Sequence, residues 1–369
     1  MSGVSRFSTL PFGLNAVVAA PEGDRSVRAR FVLALLAVTL VVVAFISVAT
    51  GASEASALGL IRDWFGDGQD AALSARDRLI IYDIRMPRVA LGMLVGAALA
   101  VSGALMQGLF RNPLADPGII GVSAGAGLGA IVVIVLSGSI LGPMVALFGI
   151  YALPLAAFLG GLVMTLSLYR IGTRGGETSV ATMLLAGIAL AALCGAVSGI
   201  LIFMADDRQL RDLTFWGLGS LGGATWVKVT AAAPFVLVIL ATSPFLARGL
   251  DALALGEASA RHLGIPVQKL KTTAILSVAA ATGAAVAVSG GIGFIGIVVP
   301  HLLRLLIGPT HRYLLLASAL LGASLLLLAD AISRTIVAPA ELPIGIVTAV
   351  FGAPFFMWVL LRRRGLLDL

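Results

Sequence analysis

Two glycine motifs and three histidines are the residues of this sequence whose types and spacing could do chemistry. Gly121-Val122-Ser123-Ala124-Gly125 fits G-x-S-x-G, which presents a nucleophilic serine when it lies on a strand-to-helix turn with a histidine and an acid nearby. Here it opens an apolar run and merges with a glycine stripe; an intramembrane serine protease using His301 is the alternative it leaves. Gly291-Ile292-Gly293-Phe294-Ile295-Gly296 fits G-x-G-x-x-G, yet no soluble strand precedes it and no acid follows about 20 residues on, so we discard it as a dinucleotide site. No G-x-x-x-x-G-K-[ST] occurs, and the chain does not bind ATP through a P-loop. His262, His301 and His311 are dispersed without a helical ligand pair, which favours structural or surface roles over a metal site. His301 follows Pro300 at an expected helix break. The apolar runs carry few charges, whereas an ion-coupled secondary transporter would show buried Asp, Glu or His relays. We therefore assign no catalytic residue and no metal ligand, and expect a non-enzymatic protein.

The strongest local signal is the polar interruption at residues 248–271. Gly256 precedes Glu257, whose charge suits the positive end of a helix dipole. Arg261 and His262 fall in the last turn, Gly264 can take the left-handed position beyond it, and Pro266 blocks continuation. A helix of about eight residues is unstable alone in water, so it packs against its own body and offers its other side to a partner, or is simply a structured loop.

These pieces are held by a chain built for lipid. Of 369 residues 59% are hydrophobic and 12% charged, half the charge of a typical soluble domain. The net charge of +7 is spread between apolar blocks rather than gathered in a nucleic-acid patch. One cysteine, Cys194, excludes a disulfide framework. Apolar runs at 31–50, 88–110, 118–136, 147–169, 180–204, 227–246, 272–288, 294–307, 313–329 and 344–361 predict an all-α polytopic membrane protein of about ten transmembrane helices. Ala55-Ser56-Ala57 resembles a cleavage site, but the first run exceeds the h-region of a signal peptide. The short run at 294–307 must be tilted, shielded by neighbours or partly re-entrant. With the N-terminus inside, the inner segments collect Arg25, Arg28, Arg30, Arg170, Arg174 and Arg362 to Arg364, among others, so both termini and the 248–271 loop are expected in the cytoplasm. Residues 1–30 form a cytoplasmic N-terminal extension and 31–369 the membrane domain. Gly92 and Gly96, then Gly121, Gly125 and Gly129, are spaced to let helix backbones touch, either between subunits or within one.

Arg85-Met86-Pro87-Arg88, then GALMQGLFRNPLADPGIIGVSAGAGLGA (103–130), GGIGFIGIVVPHLLR (290–304) and ELPIGIVTAVFGAPFF (341–356) resemble the FecCD-type permeases. These are membrane subunits of type II ABC importers for iron-siderophores, haem and cobalamin. ARHLGIPVQKLK and VVPHLLRLLIGPTHR resemble the haem-permease branch most closely. The resemblance covers nearly the whole chain from Arg85 onward. It implies a homodimer in the inner membrane with one pathway between the subunits. Two ATPase subunits carrying ATP and Mg drive it, and a periplasmic binding protein delivers haem or, alternatively, a ferric siderophore or cobalamin. The resemblance makes the 248–271 segment a coupling loop, with Glu257, Arg261, His262, Leu263 and Gly264 at the ATPase. It places a cytoplasmic gate at Thr178, Ser179, Val180, Ala181 and Thr182, where Thr178 and Ser179 also read as ordinary helix N-caps. It assigns binding-protein docking to Arg85, Arg88 and, in an outer loop, Arg334; lipid headgroups or helix-end capping are the other uses for them. Residues 205–221 read as a short helix dipping back, with Arg208, Arg211, Phe215 and Trp216 at the periplasmic mouth, where an arginine could meet haem propionates.

Overall fold

The computed structural model describes residues 25–50, 74–174 and 177–362. Most of the N-terminal extension, the 51–73 stretch with the Ala55-Ser56-Ala57 sequence, and Arg363 and Arg364 lie outside the described residues.

An unpaired backbone N–H or C=O in hydrocarbon costs several kcal/mol, so a lipid-embedded chain of this composition must close its hydrogen bonds within helices. It does so in α1 (Ser26–Ala49), α2 (Ala75–Leu109), α3 (Val122–Leu136), α4 (Gly142–Phe148), α5 (Ala152–Gly172), α6 (Val180–Met204), α7 (Asp207–Leu218), α8 (Trp226–Ala254), α9 (Glu257–His262), α10 (Val267–Ser289), α11 (Ile295–Ile307), α12 (His311–Thr335) and α13 (Ile344–Arg362). Seven helical stretches are long and apolar enough to cross a membrane, and the shorter apolar helices α3, α11 and α13 supply the remaining expected runs. Between α5 and α6 the chain makes an antiparallel pair, β1 (Thr173–Arg174) and β2 (Glu177–Thr178), with Thr173 opposite Thr178 and Arg174 opposite Glu177. Pro300, expected at a helix break, lies inside α11 instead, so His301 is mid-helix; Pro354 likewise lies inside α13.

Helix α2 is the hub, packed by α8, α10, α11 and α12 and buried over most of its length. The glycine spacing explains how it is approached so closely. A methyl group on Gly96 would strike the Gly322 carbonyl of α12, and one on Gly103 would strike the Gly296 carbonyl of α11. In the second layer, Gly125 of α3 faces Gly160 of α5 in the same way. These stripes therefore serve packing within one subunit rather than contact between subunits. The short α11 is shielded by its neighbours, with Ile295, Val299, Leu303 and Ile307 buried.

Outside this body α6 stands apart, with 11% of its apolar window buried in the chain. The G-x-G-x-x-G segment is a junction of backbones. Ser220 N donates to Ser289 O (2.8 Å), Gly291 N to Trp216 O (3.4 Å) and Ile344 N to Gly219 O (3.1 Å), joining the ends of α7 and α10 to the start of α13.

Because overpacking costs about 1–3 kcal/mol, Gly96→Ala should lower the thermal unfolding midpoint in detergent. Gly127→Ala, which meets nothing within 4 Å, should leave it unchanged or slightly raised.

Candidate functional site

The charged side chains gather at the two ends of the bundle. At the outer end Asp330, fully buried in α12, is the pivot. Arg88 of α2 places Nη2 2.9 Å and Nε 3.0 Å from Asp330 Oδ1, and reaches Glu341 through Nη1 to Oε1 (2.7 Å) and Nη2 to Oε2 (3.0 Å). Arg334, one turn after Asp330, brings Nε within 3.0 Å of Oδ2. Its remaining donors cap α1, with Nη1 to Thr50 O (2.8 Å) and Nη2 to Ser47 O (3.2 Å). Arg85 adds Nη1 to Val48 O (2.8 Å) and Ala49 O (3.0 Å). The last carbonyls of a helix have no partner within it and carry partial negative charge, so guanidinium groups suit them. Glu341, in the loop after α12, is held below the usual carboxylate range, first by its hydrogen bond to Arg88.

Arg85, Arg88 and Arg334, the arginines expected to dock a binding protein, thus all have partners within the chain. They are 4%, 6% and 6% exposed, and Arg334 belongs to the last turn of α12 rather than to a loop. A charge at a helix end is cheap to bury only with partners, and here the partners are Asp330, Glu341 and the end of α1. Helix-end capping, one of the alternative uses, describes their geometry.

At the inner end α9 is built as its punctuation predicts, though with six residues. Gly264 has φ +79° and its N–H reaches Arg261 O (2.9 Å), while Ile265 N reaches Ala260 O (3.0 Å). That is the Schellman closure, and it fixes the direction in which the chain leaves. His262 and Leu263 face outward, the latter 63% exposed. Glu257 and Arg261, also expected at the ATPase, have partners within the chain, on α10 and on the β1–β2 hairpin respectively. Glu257 Oε1 accepts from Lys271 Nζ (2.6 Å), and Arg261 Nη2 meets Glu177 Oε1 (2.7 Å). Lys271, 3% exposed, also donates to Thr178 O (3.0 Å). Gln268 accepts from Thr178 N (3.2 Å) and donates to its hydroxyl (2.5 Å). A chain of contacts therefore runs from α9 through α10 to the segment expected to gate.

Within that segment Thr178 is buried, and Ser179 caps α6 by accepting from Thr182 N (3.3 Å). Ala181 is exposed, and the Val180 side chain lies outside the described ones. Residues 205–221 form α7 with a capping box, in which Asp206 accepts from Gln209 N (2.8 Å) and Gln209 from Asp206 N (3.1 Å). Arg208, Arg211 and Phe215 are exposed on it, while Trp216 is half-buried and its carbonyl accepts from Gly291 N at the 289–293 junction. His301 is buried, edge-on to Phe355. His311 Nδ1 lies 2.7 Å from Asp251 Oδ1, tying α12 to the end of α8. Sequence reasoning missed Asp330, Glu341, Glu177, Gln268 and Lys271 as partners.

The model of the FecCD transport family matches residues 39–362. The chain is 46% identical over 338 residues to the hemin transport system permease protein HmuU of Yersinia pestis, covering 92% of this chain and 97% of that protein. It is 43% identical to the cobalamin import system permease protein BtuC of Halobacterium salinarum, over 78% of this chain and 74% of that one. Its identity to the vitamin B12 import system permease protein BtuC of Escherichia coli is 44%, over 82% and 87%. A solved inward-facing structure described as a metal-chelate-type ABC transporter superposes with a TM-score of 0.77 at 30% identity, covering 90% of this chain and 99% of that one.

Removing one partner from a buried ion network costs about 3–5 kcal/mol, so Asp330→Asn should sharply lower the unfolding midpoint. Glu341→Gln should cost less because its side chain is 44% exposed. Its folded value is depressed, so its contribution is present above about pH 4.3, the unfolded glutamate value, and is lost as pH falls through the lower folded one. Unfolding midpoints of wild type and Glu341→Gln should therefore converge in acid.

Proposed function

The chain belongs to the FecCD transport family and is a permease of type II ABC importers; on that premise we propose that its cargo is haem, delivered from the periplasm and released to the cytoplasm. The observation that carries the cargo reading is the 46% identity to a hemin permease across nearly both full lengths. Cobalamin permeases match over less of this chain, and a cobalamin or ferric-siderophore cargo is the second reading. The working unit is a homodimer in the cytoplasmic membrane, with two ATPase subunits that carry ATP and Mg. The sparse burial of α6 supports a pathway formed by two copies of that helix. Large apolar side chains such as Leu185, Ile188 and Phe203 stand exposed on it and suit a flat, apolar macrocycle.

In this reading the ATPase groove receives His262, Leu263 and the neighbouring Leu255, the exposed face of α9. Motion of α9 reaches the gate through Glu257, Lys271 and Thr178. A buried ammonium held between a carboxylate and a carbonyl transmits displacement because separating either partner leaves a charge unpaired. Gly264 sets the lever's exit, and Arg261 with Glu177 steadies the hairpin. At the outer face, the exposed Arg208 and Arg211 can meet haem propionates, whose planar carboxylates match the guanidinium fork. The delivering protein then meets exposed outer charges, among them Arg76 and Arg78, while Arg85, Arg88 and Arg334 brace the surface beneath.

Haem, cobalamin and a ferric siderophore should be offered in parallel to proteoliposomes containing the assembled importer and its binding protein. ATP-dependent uptake of haem alone is the expected outcome, and uptake of cobalamin alone would replace the cargo reading. In the same system Lys271→Met should retain basal ATP hydrolysis and lose most cargo uptake; unchanged uptake per ATP would remove the relay. His301→Ala, at a buried position, should leave haem uptake near wild type at equal protein level.

A further inference from the structure

The segment between α2 and α3 does not stay at the membrane edge. Gly296 of α11 packs against Gly103 and the Leu99 carbonyl of α2, and a methyl group on it would stand 3.2 Å from Asp116 Oδ2. Asp116 is thus level with residues 99–103, six to ten residues above the end of α2 at Leu109, or roughly 9–15 Å into the bundle. Irregular backbone at such depth survives only inside protein or along a polar cavity. Here it borders a cavity of about 430 Å³, walled also by Ser123, Trp216, Thr282 and the Gly291–Gly293 junction.

The chemistry of that wall is one-sided. Asp116 Oδ1 accepts from Gly118 N (2.8 Å), which closes the turn. Oδ2 has no hydrogen-bond donor among the described residues. No lysine, arginine or histidine is among the wall residues. Among the described residues Thr282, 2% exposed, keeps its hydroxyl buried without a hydrogen-bond partner; the Trp216 indole N–H, likewise without one, can only donate and suits a water around the ion rather than the ion itself. A carboxylate at this depth is costly unless a positive charge or water faces it. Two hydroxyls and a single carboxylate suit a monovalent ion, since divalent cations are held by more anionic oxygens. At about 30 Å³ per water the cavity has room for an ion with part of its hydration shell.

We propose that this cavity is a binding site for a hydrated monovalent cation, with Asp116 as its counter-charge and Thr282 and Ser123 as neutral oxygen donors. The ion is structural: it neutralises the interior of the subunit where α2, α7, α10 and α11 meet, and is independent of the cargo.

The test uses the assembled importer in lipid nanodiscs, titrated with NaCl or KCl against choline chloride at constant ionic strength. Tryptophan fluorescence and the unfolding midpoint are followed. Wild type should give a saturable response to Na⁺ or K⁺. Asp116→Asn preserves the oxygen that accepts from Gly118 and should lose the response. Thr282→Val should weaken apparent affinity by roughly tenfold, as expected for one lost oxygen donor to a charged group. An equal response in Asp116→Asn, or none in wild type between roughly pH 6 and 8, where an ordinary carboxylate is ionised, overturns the proposal; the latter would mean that a proton alone neutralises Asp116. If Asp116→Asn fails to fold, Thr282→Val decides, and an unchanged midpoint there overturns it equally.

Discussion

A carboxylate with no exposed surface dictates the outer half of this molecule. Asp330 cannot be ionised in α12 without cations at contact distance, and it has two, Arg88 and Arg334. Each guanidinium has donors left over, and these cannot be wasted in a low-dielectric interior. Arg88 spends them on Glu341 and Arg334 on the open carbonyls of α1. One buried acid thereby ties α1, α2, α12 and the loop before α13 into a single rigid end. Below it, backbone contacts such as Gly96 with Gly322 continue the same rigidity toward the centre.

The inner end is joined more sparingly. Lys271 links α9 to Thr178 through two contacts, and Arg261 with Glu177 is an exposed pair of the kind worth at most about 1 kcal/mol. From α9 the link to α10 is the one Glu257–Lys271 pair, after which Lys271 and Gln268 hold Thr178 together. The Schellman closure at Gly264 makes the short α9 stiffer than its length suggests. A force applied to its exposed face is then passed on rather than absorbed.

What was legible in the sequence was what physics decides locally. Helical runs follow from the thickness of hydrocarbon, and the boundaries of α9 follow from Gly256, Gly264 and Pro266. The cap at Ser179 is likewise short-range. What the sequence did not reveal has a different cause. Arg88 reads as an exposed outer arginine because its partners lie 242 and 253 residues away. Glu257 reads as a surface contact because Lys271 returns to it only once α10 packs. Pro300 reads as a break, although neighbouring helices can satisfy the groups a proline frees. Asp116 escapes a search for charges in apolar runs because the chain re-enters the bundle between two of them.

The touching backbones of α2, α11 and α12 also bear on how this protein meets its lipids. A helix responds to a bilayer thicker or thinner than its apolar length by tilting, at a cost of fractions of a kcal/mol per ångström. Helices locked glycine to glycine cannot tilt one by one. Adjustment to acyl-chain length falls to α1 and α6, the least buried of the seven long spans. In the proposed importer α6 also follows the 178–182 segment read as a gate, so chain length and sterol-like thickening would register there as a change in turnover while the fold itself hardly notices.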